Sequence, residues 1–504
     1  MTPARRLSSI PPRHEDLSGA NGSAVRFRAA RLNAAELPVP LTCRFRCDGV
    51  PVGPVSVLDL ATTGFAARAP EDLALAPGST LDALELLLDG RPIWSGEAVV
   101  VHENQERIGA RFVSGVVDLR HVRVGATIDG RLALLEAQRA HLPAAWRAAV
   151  SDLGLLLESA RLEVDEFERN FPRDPLHRTE DEAELFERLH ARWGAEYYGA
   201  VASLHEQSKS LDERGVQLGR GYASSALMPL LSVCPLHRRA YDKPLGYAGD
   251  YRMMELYFSR DLSGDTLFGR FLHSVAQRYS LGRAVVAREQ LMRDAVRAAA
   301  TADGEEPVRV LSVACGPALE VRRMIEEAGP LRRPLHILLL DQDEGALEVA
   351  NRRLQRALVG SGLQQSVAVE CLHFSVRQIL QPKTAEEIHL FEEIIAGMDL
   401  IYSAGLYDYL PEPVAARLTK LLYSRLRAGG RLLVGNLCET PDSTWLMEYV
   451  LGWHLLYRTP ESMLRLANGL APQPVRVGIT PDATGHSIFL DLVKDGSPAA
   501  GGSR

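Results

Sequence analysis

The stretch Val308–Glu320, VRVLSVACGPALE, decides the fold of the C-terminal half. An apolar, valine-rich strand runs straight into Cys315-Gly316-Pro317-Ala318, and a helix begins near Glu320. A glycine turn at the carboxyl end of a first strand lets the backbone approach a ligand closely. The next strand, HILLLD, ends at Asp341, 25 residues after Gly316, where a carboxylate can accept both ribose hydroxyls of a nucleoside. A dinucleotide site wants three glycines and space for a pyrophosphate. Ala314 and Ala318 occupy the flanking positions here, and no phosphate-gripping GKS follows.

Working outward toward the C-terminus, strands and helices alternate. HILLLD, SVAVECLHF, MDLIYSAG and GRLLVGNL each precede or follow a helical stretch, the pattern of a parallel sheet with crossover helices. VRVGITPD and HSIFLDLVK, separated by Ala-Thr-Gly, predict an antiparallel hairpin on the sheet edge.

In this order the segment resembles the class I methyltransferase family. VLSVACGPALE looks like its first motif, with Ala314, Cys315, Gly316, Pro317 and Glu320 beside the cofactor. Asp341 and Gln342 match the ribose-binding position, and Phe374, Ser375 and Val376 the loop flanking the adenine. DLIYSAGLYDYL, from Asp399 to Leu410, matches the fourth strand and the turn lining the methyl-donor site, which brings in Ser403 and Ala404. Arg427–Arg431 matches the turn before the fifth strand. The sequence departs from the family at Ser312, where an acid is usual, at Ala314 for the first glycine, and at Ser375 for the adenine-loop Asp. The resemblance implies S-adenosylmethionine as cofactor. Methyl transfer from a sulfonium is an in-line substitution, so the protein mainly aligns donor and acceptor and removes a proton where the acceptor needs it. Tyr407 and Asp408, following strand four, are the candidate catalytic groups; Glu448, Trp453, Tyr457 and Arg458 are candidate walls of an acceptor pocket. No NPPY-like tetrapeptide follows strand four, which favours a small-molecule O-acceptor over base or glutamine amino groups.

Upstream, from about 126 to 300, apolar residues recur at helical intervals, in LALLEAQRAHLPAAW and its continuation and again at 181–218 and 265–300. Within this region KPLGYAGDYRMMELYF reads as a loop leading into a helix, with Asp250 able to cap it. It resembles the GYAGDxxMM element preceding the methyltransferase core in a bacterial family that includes proteins of 3-hydroxy fatty acid methyl-ester synthesis. That implies a helical lid, places Tyr247 and Asp250 at the donor site, and suggests an acceptor carboxylate. Arg288, just before the core, is a candidate partner for the methionine carboxylate.

Farther toward the N-terminus the texture is β. PVPLTCRFRC, VSVLDL, TLDALELLL, IWSGEAVVVHE and RIGARFV are closely spaced runs between Gly, Pro, Asn and Asp, suggesting a small barrel. Arg26, Arg28 and Arg31 upstream, and Asp59 to Gly64 at a strand end, make residues 26–125 resemble a PilZ domain, the bacterial receptor module for cyclic di-GMP. The resemblance implies that Arg26, Arg28, Arg31, Asp59 and Gly64 grip that dinucleotide. Ala61 stands where serine is usual, and the arginine spacing departs from RxxxR.

The expected chain is therefore multidomain: a tail at 1–25, a PilZ-like barrel at 26–125, a helical lid at 126–300, a Rossmann-like methyltransferase fold at 301–496 and a tail at 497–504. Its 504 residues, 46% hydrophobic and 24% charged, suit several globular cores. A net charge of −7 argues against a dedicated nucleic-acid surface. No run approaches the roughly 18 apolar residues of a membrane span, and the N-terminus has no apolar segment of a signal peptide. Six scattered cysteines without a CxxC pair fit a reduced, cytoplasmic compartment and call for no metal. Two functional classes stand: a regulated methyltransferase, or a catalytically inactive effector whose barrel binds cyclic di-GMP or a protein partner.

Overall fold

The computed structural model describes residues 31–70, 75–104, 106–170, 178–259 and 261–496. Arg26, Arg28 and both expected tails fall outside these. By its contacts the chain divides into two compact units, Met1–His141 and Leu142–Arg504.

The first unit holds β1 (Arg31–Asn33), β2 (Leu41–Cys47), β3 (Val50–Ala61), β4 (Gly64–Arg68), β5 (Thr80–Leu88), β6 (Arg91–Glu103), β7 (Arg107–Phe112) and α1 (Leu119–His141). The order β3-β2-β5-β6-β7-β4 closes through a β3–β4 pairing into a six-stranded antiparallel barrel, with β1 added on β3. Alternation explains the closure: in β2, Leu41, Cys43, Phe45 and Cys47 are buried while Arg44 and Arg46 face out. The sequence reading missed β1 and the closing strand β4, GFAAR, whose alternation is hidden because Gly64 through Ala67 are all buried. A β-carbon on Gly64 would lie 2.4 Å from the Ala110 carbonyl oxygen, so β4 can approach β7 only with glycine there. Helix α1 packs Val122 and Ala126 into the barrel core.

In the second unit the helical run resumes after Pro143, which has no amide to continue α1. The helices are α2 (Ala144–Asn170), α3 (Arg178–Leu189), α4 (Ala195–Ser208), α5 (Glu213–Leu231), α6 (Pro235–Asp242), α7 (Tyr251–Phe258), α8 (Leu267–Arg278) and α9 (Ser280–Thr301). Their aromatic core includes Trp146, Tyr197, Phe268 and Phe271, and it takes in Trp445 from the segment after the fifth sheet strand. The indoles of Trp146 and Trp445 both donate to Ser208 Oγ, at 2.9 and 3.0 Å, which fastens the helices to the α/β part through one hydroxyl.

That part comprises β8 (Val308–Val313), α10 (Leu319–Glu327), β9 (Leu335–Asp341), α11 (Glu344–Ser361), β10 (Val367–His373), α12 (Val376–Leu380), α13 (Ala385–His389), β11 (Met398–Ser403), α14 (Glu412–Ser424), β12 (Leu426–Leu437), α15 (Pro460–Arg465), β13 (Pro474–Pro481) and β14 (Ser487–Lys494). The sheet order is β10-β9-β8-β11-β12-β14-β13. Neighbours from β10 to β12 are parallel, whereas β14 runs antiparallel to both β12 and β13. The expected hairpin is thus present, with its second strand inside its first. One sheet face is covered by α9, α10 and α11, with Met292, Val321 and Leu354 among the packed residues. The other carries α14, through Leu418 and Leu422, and α15 through Met463. In a doubly wound sheet of this order the succession of strands reverses between β8 and β11, which remain parallel, and ligands sit beyond the carboxyl ends of the strands at such a switch point.

Candidate functional site

The turn after β8 is shaped by three alternate left-handed positions: Ala314, Gly316 and Ala318 have φ of +54°, +54° and +48°. Such conformations strain a residue bearing a β-carbon, so two of the three sites hold the smallest side chain that still carries one. At Gly316 no atom lies within 4 Å of where a β-carbon would be, leaving open space over the turn. The Gly316 amide donates to Asp341 Oδ2 at 2.8 Å, and the Asp343 amide donates to Oδ1 at 2.9 Å. The β9 carboxylate is thereby locked across the β8 turn, with lone pairs left over for a ligand. Burial pushes the Asp341 carboxyl above its ordinary value, partly offset by these amides.

Above this turn lies a cavity of about 580 Å³, within the range of small-molecule and cofactor sites. It gathers Ala314, Cys315, Gly316, Pro317, Glu320, Asp341, Gln342, Phe374, Val376, Ala404, Asp408 and Tyr247 from the residues singled out in the sequence. Four others of the predicted catalytic and donor-site residues do not line it. Ser375 caps α12 in a reciprocal capping box with Gln378. Ser403 is fully buried within β11. Tyr407 points into the sheet core, its hydroxyl against Thr419 Oγ1 at 3.1 Å, so it is a packing residue rather than a catalytic one. Asp250 is fully buried, caps α7 through the Met253 amide at 2.9 Å and pairs with Arg239 at 2.7 Å. It shapes the GYAGD turn and does not touch the cavity.

The rest of that turn explains its two glycines. Gly246 follows the helix-ending Lys243 and sits at φ +89°. At Gly249 a β-carbon would fall 2.3 Å from the Tyr409 hydroxyl and 3.2 Å from Trp453, so only glycine lets the segment pack there. Trp453 Nε1 donates to that same hydroxyl at 2.9 Å. Tyr247, Tyr409 and Trp453 thus stand together on the cavity wall. Met254, Phe258 and Val285, from helices distant in sequence, complete its apolar side.

The polar groups converge opposite. Asp408 is buried, accepts the Leu437 amide at 2.7 Å, and stands 3.4 Å from the Arg288 guanidinium. Burial raises its carboxyl to about 6 despite Arg288. Glu320 takes the Tyr402 hydroxyl at 2.7 Å, and burial lifts it to about 7. Both carboxyls are poised near neutrality, as groups at functional sites often are. Of the proposed acceptor wall only Trp453 lines the cavity; Glu448 pairs with Arg220 at 3.6 Å. Arg458 lies beneath the 407–410 turn, donating to the Tyr407 carbonyl at 2.6 Å and also to Asn436 Oδ1 and the Leu410 carbonyl. It clamps the turn that presents Asp408 and Tyr409. Nothing in the sequence marks this role, since all three partners are distant.

In the barrel unit, Arg31, Asp59 and Arg107 line a separate cleft of about 680 Å³. Asp59 pairs with Arg31 at 3.0 Å and also with Arg107, a residue the sequence reading did not select. Gly64 serves the β4–β7 approach and is absent from that cleft. The closely spaced Cys43 and Cys47 are buried free thiols of the barrel core, and among the described residues no cluster of three or more metal-ligating side chains occurs. No described helix is long and apolar enough to cross a membrane.

No family model and no curated protein matches the chain. Solved structures do resemble it. A possible exported protein from Bordetella parapertussis aligns at 16% identity and TM-score 0.37, covering 59% of this chain and 95% of that one. Magnesium protoporphyrin IX methyltransferase from Synechocystis PCC 6803, with bound S-adenosylhomocysteine, aligns at 12% and 0.35, covering 52% and 98%. The S-adenosylmethionine-dependent methyltransferase SibL aligns at 15% and 0.33, covering 69% and 96%. Likeness at this level carries no residue role from those proteins to this chain.

Proposed function

We propose that residues 142–496 form an S-adenosylmethionine-dependent methyltransferase that acts on an oxygen of a small acceptor. The acceptor class that the GYAGD element suggests is a hydroxy fatty acid carboxylate. The observation that carries this reading is the Gly316–Asp341 bond of 2.8 Å at the switch point of the sheet, under open space that continues into a largely apolar cavity.

The residues fit the donor. Asp341 has acceptor capacity for two ribose hydroxyls, Phe374 and Val376 offer apolar contact to an adenine, and the bare Gly316 turn admits a ligand against the backbone. When bound, the cofactor supplies an electrophilic methyl group on its sulfonium. The chain contributes alignment and dryness: Met254, Phe258, Val285 and Trp453 exclude water from the acceptor side. Arg288 holds an anionic group beside Asp408. For a hydroxyl acceptor, Asp408 takes the proton, a role its value of about 6 suits near neutral pH. A carboxylate acceptor needs no base and uses Arg288 for orientation.

We further propose that the barrel is a regulatory module of the PilZ type whose Arg31–Asp59–Arg107 cleft takes cyclic di-GMP. Mass spectrometry of lipid and metabolite extracts tests the reaction, comparing cells that make the protein with cells that make Asp341→Ala, which removes the donor site whichever oxygen accepts the methyl group. A methylated species present only with the unaltered protein supports the reading, and identical extracts sink it.

A further inference from the structure

Beside the main cavity runs a second cleft, of about 590 Å³, and its character is opposite. Arg239, Arg252, Arg322 and Arg353 line it, from α6, α7, α10 and α11, against one lining carboxylate among the described residues, Glu255. The two spaces share walls: Phe258, Pro317 and Leu319 border both, so the basic cleft adjoins the turn that bears the donor site.

The four guanidiniums are not equally engaged. Arg239 is committed to Asp250 at 2.7 Å, and Arg353 to Glu255 at 2.5 Å. Among the described residues Arg322 reaches only Glu326, one turn along its own helix, at 3.5 Å. Arg252 gives Nε to the Tyr251 hydroxyl at 3.1 Å and lies over that ring, an arrangement that orients the guanidinium without neutralising it. Two planar forks therefore face one cleft with donors to spare, on a protein whose net charge is −7. Arginine forks of this kind bind phosphate oxygens bidentately. S-adenosylmethionine carries no phosphate, so a phosphate held here would belong to a ligand other than the donor.

We infer that the cleft binds the phosphate of the acceptor, which is an amphiphile with an apolar chain in the main cavity and a phosphate ester seated between Arg252 and Arg322. That the phosphate belongs to the methyl acceptor rests on the methyltransferase reading; that a phosphate binds in the cleft does not. The same chemistry could come from a hydroxyacyl thioester of a phosphorylated carrier such as coenzyme A, or from a lysophospholipid; in both the accepting oxygen is a hydroxyl, the case that uses Asp408, rather than a free carboxylate.

Calorimetry on the full chain tests it with dodecyl phosphate, dodecanoate, lauroyl-coenzyme A and lauroyl lysophosphatidic acid as probes. Dodecyl phosphate should bind at least tenfold more tightly than dodecanoate. The double variant Arg252→Gln, Arg322→Gln should lose that preference while keeping its affinity for dodecanoate; both side chains are partly solvated, so the fold should hold, and the retained affinity checks it. The tighter of the two natural-type probes then identifies the source of the phosphate. Equal binding of dodecyl phosphate and dodecanoate, or a preference that survives in the double variant, overturns the inference. A separate titration with S-adenosylmethionine distinguishes the two proposals: a silent donor titration with intact phosphate binding refutes the enzyme reading and leaves the cleft standing.

Discussion

At the scale of single residues, two carboxyls carry the consequences of burial. Glu320 is held up to about 7 against an ordinary 4.5, so between those values the folded state binds more protons than the unfolded one. Its contribution to stability is therefore greatest at low pH and falls as pH rises through that window. Circular-dichroism melts should show Glu320→Gln losing less stability than the unaltered protein between about pH 5 and 7. Equal pH slopes would contradict the burial argument. Asp408 sets a different dependence. If it serves as the base for a hydroxyl acceptor, transfer of labelled methyl into cell extract should rise with pH around 6. Asp408→Asn, which still accepts the Leu437 amide, should lower the rate by roughly 10²–10⁴-fold, and a variant of unchanged rate removes Asp408 from the chemistry.

At the scale of elements, the turn at Tyr407–Leu410 and the GYAGD segment depend on each other through Tyr409. Gly249→Ala drives a methyl group into the Tyr409 hydroxyl, which already accepts from Trp453. The expected outcome is at least a tenfold loss of affinity for whatever fills the cavity, with a melting temperature lowered only slightly. Arg458→Met acts differently, since it leaves buried carbonyls of the turn without a donor and should cost roughly 3 kcal/mol or more in denaturant unfolding. The contrast marks what the sequence disclosed. Periodicity and turn residues exposed the strands of the α/β part, the Gly316 turn and Asp341, because those features are local. Strand β4 was hidden because every residue from Gly64 to Ala67 is buried. The pairing of Asp250 with Arg239, the inward Tyr407 and the Arg458 clamp arise from contacts that only tertiary packing creates. The apolar wall of Met254, Phe258 and Val285 escaped for the same reason: each looks like an ordinary helix-face residue.

At the scale of the whole molecule, a small closed barrel and a larger helical and α/β unit share one chain. If the barrel is a receptor, calorimetry with cyclic di-GMP should give binding to the full chain that Arg31→Ala weakens at least tenfold; a signal equal in both proteins, or none in either, removes that role. Titrating the full chain with S-adenosylmethionine asks whether the larger unit holds the methyl donor. The expected result is saturable, one-site binding in the micromolar range that Asp341→Ala abolishes while the fold, followed by circular dichroism, persists. An unaltered protein that takes up no S-adenosylmethionine, or an Asp341→Ala variant that binds it equally well, would contradict it.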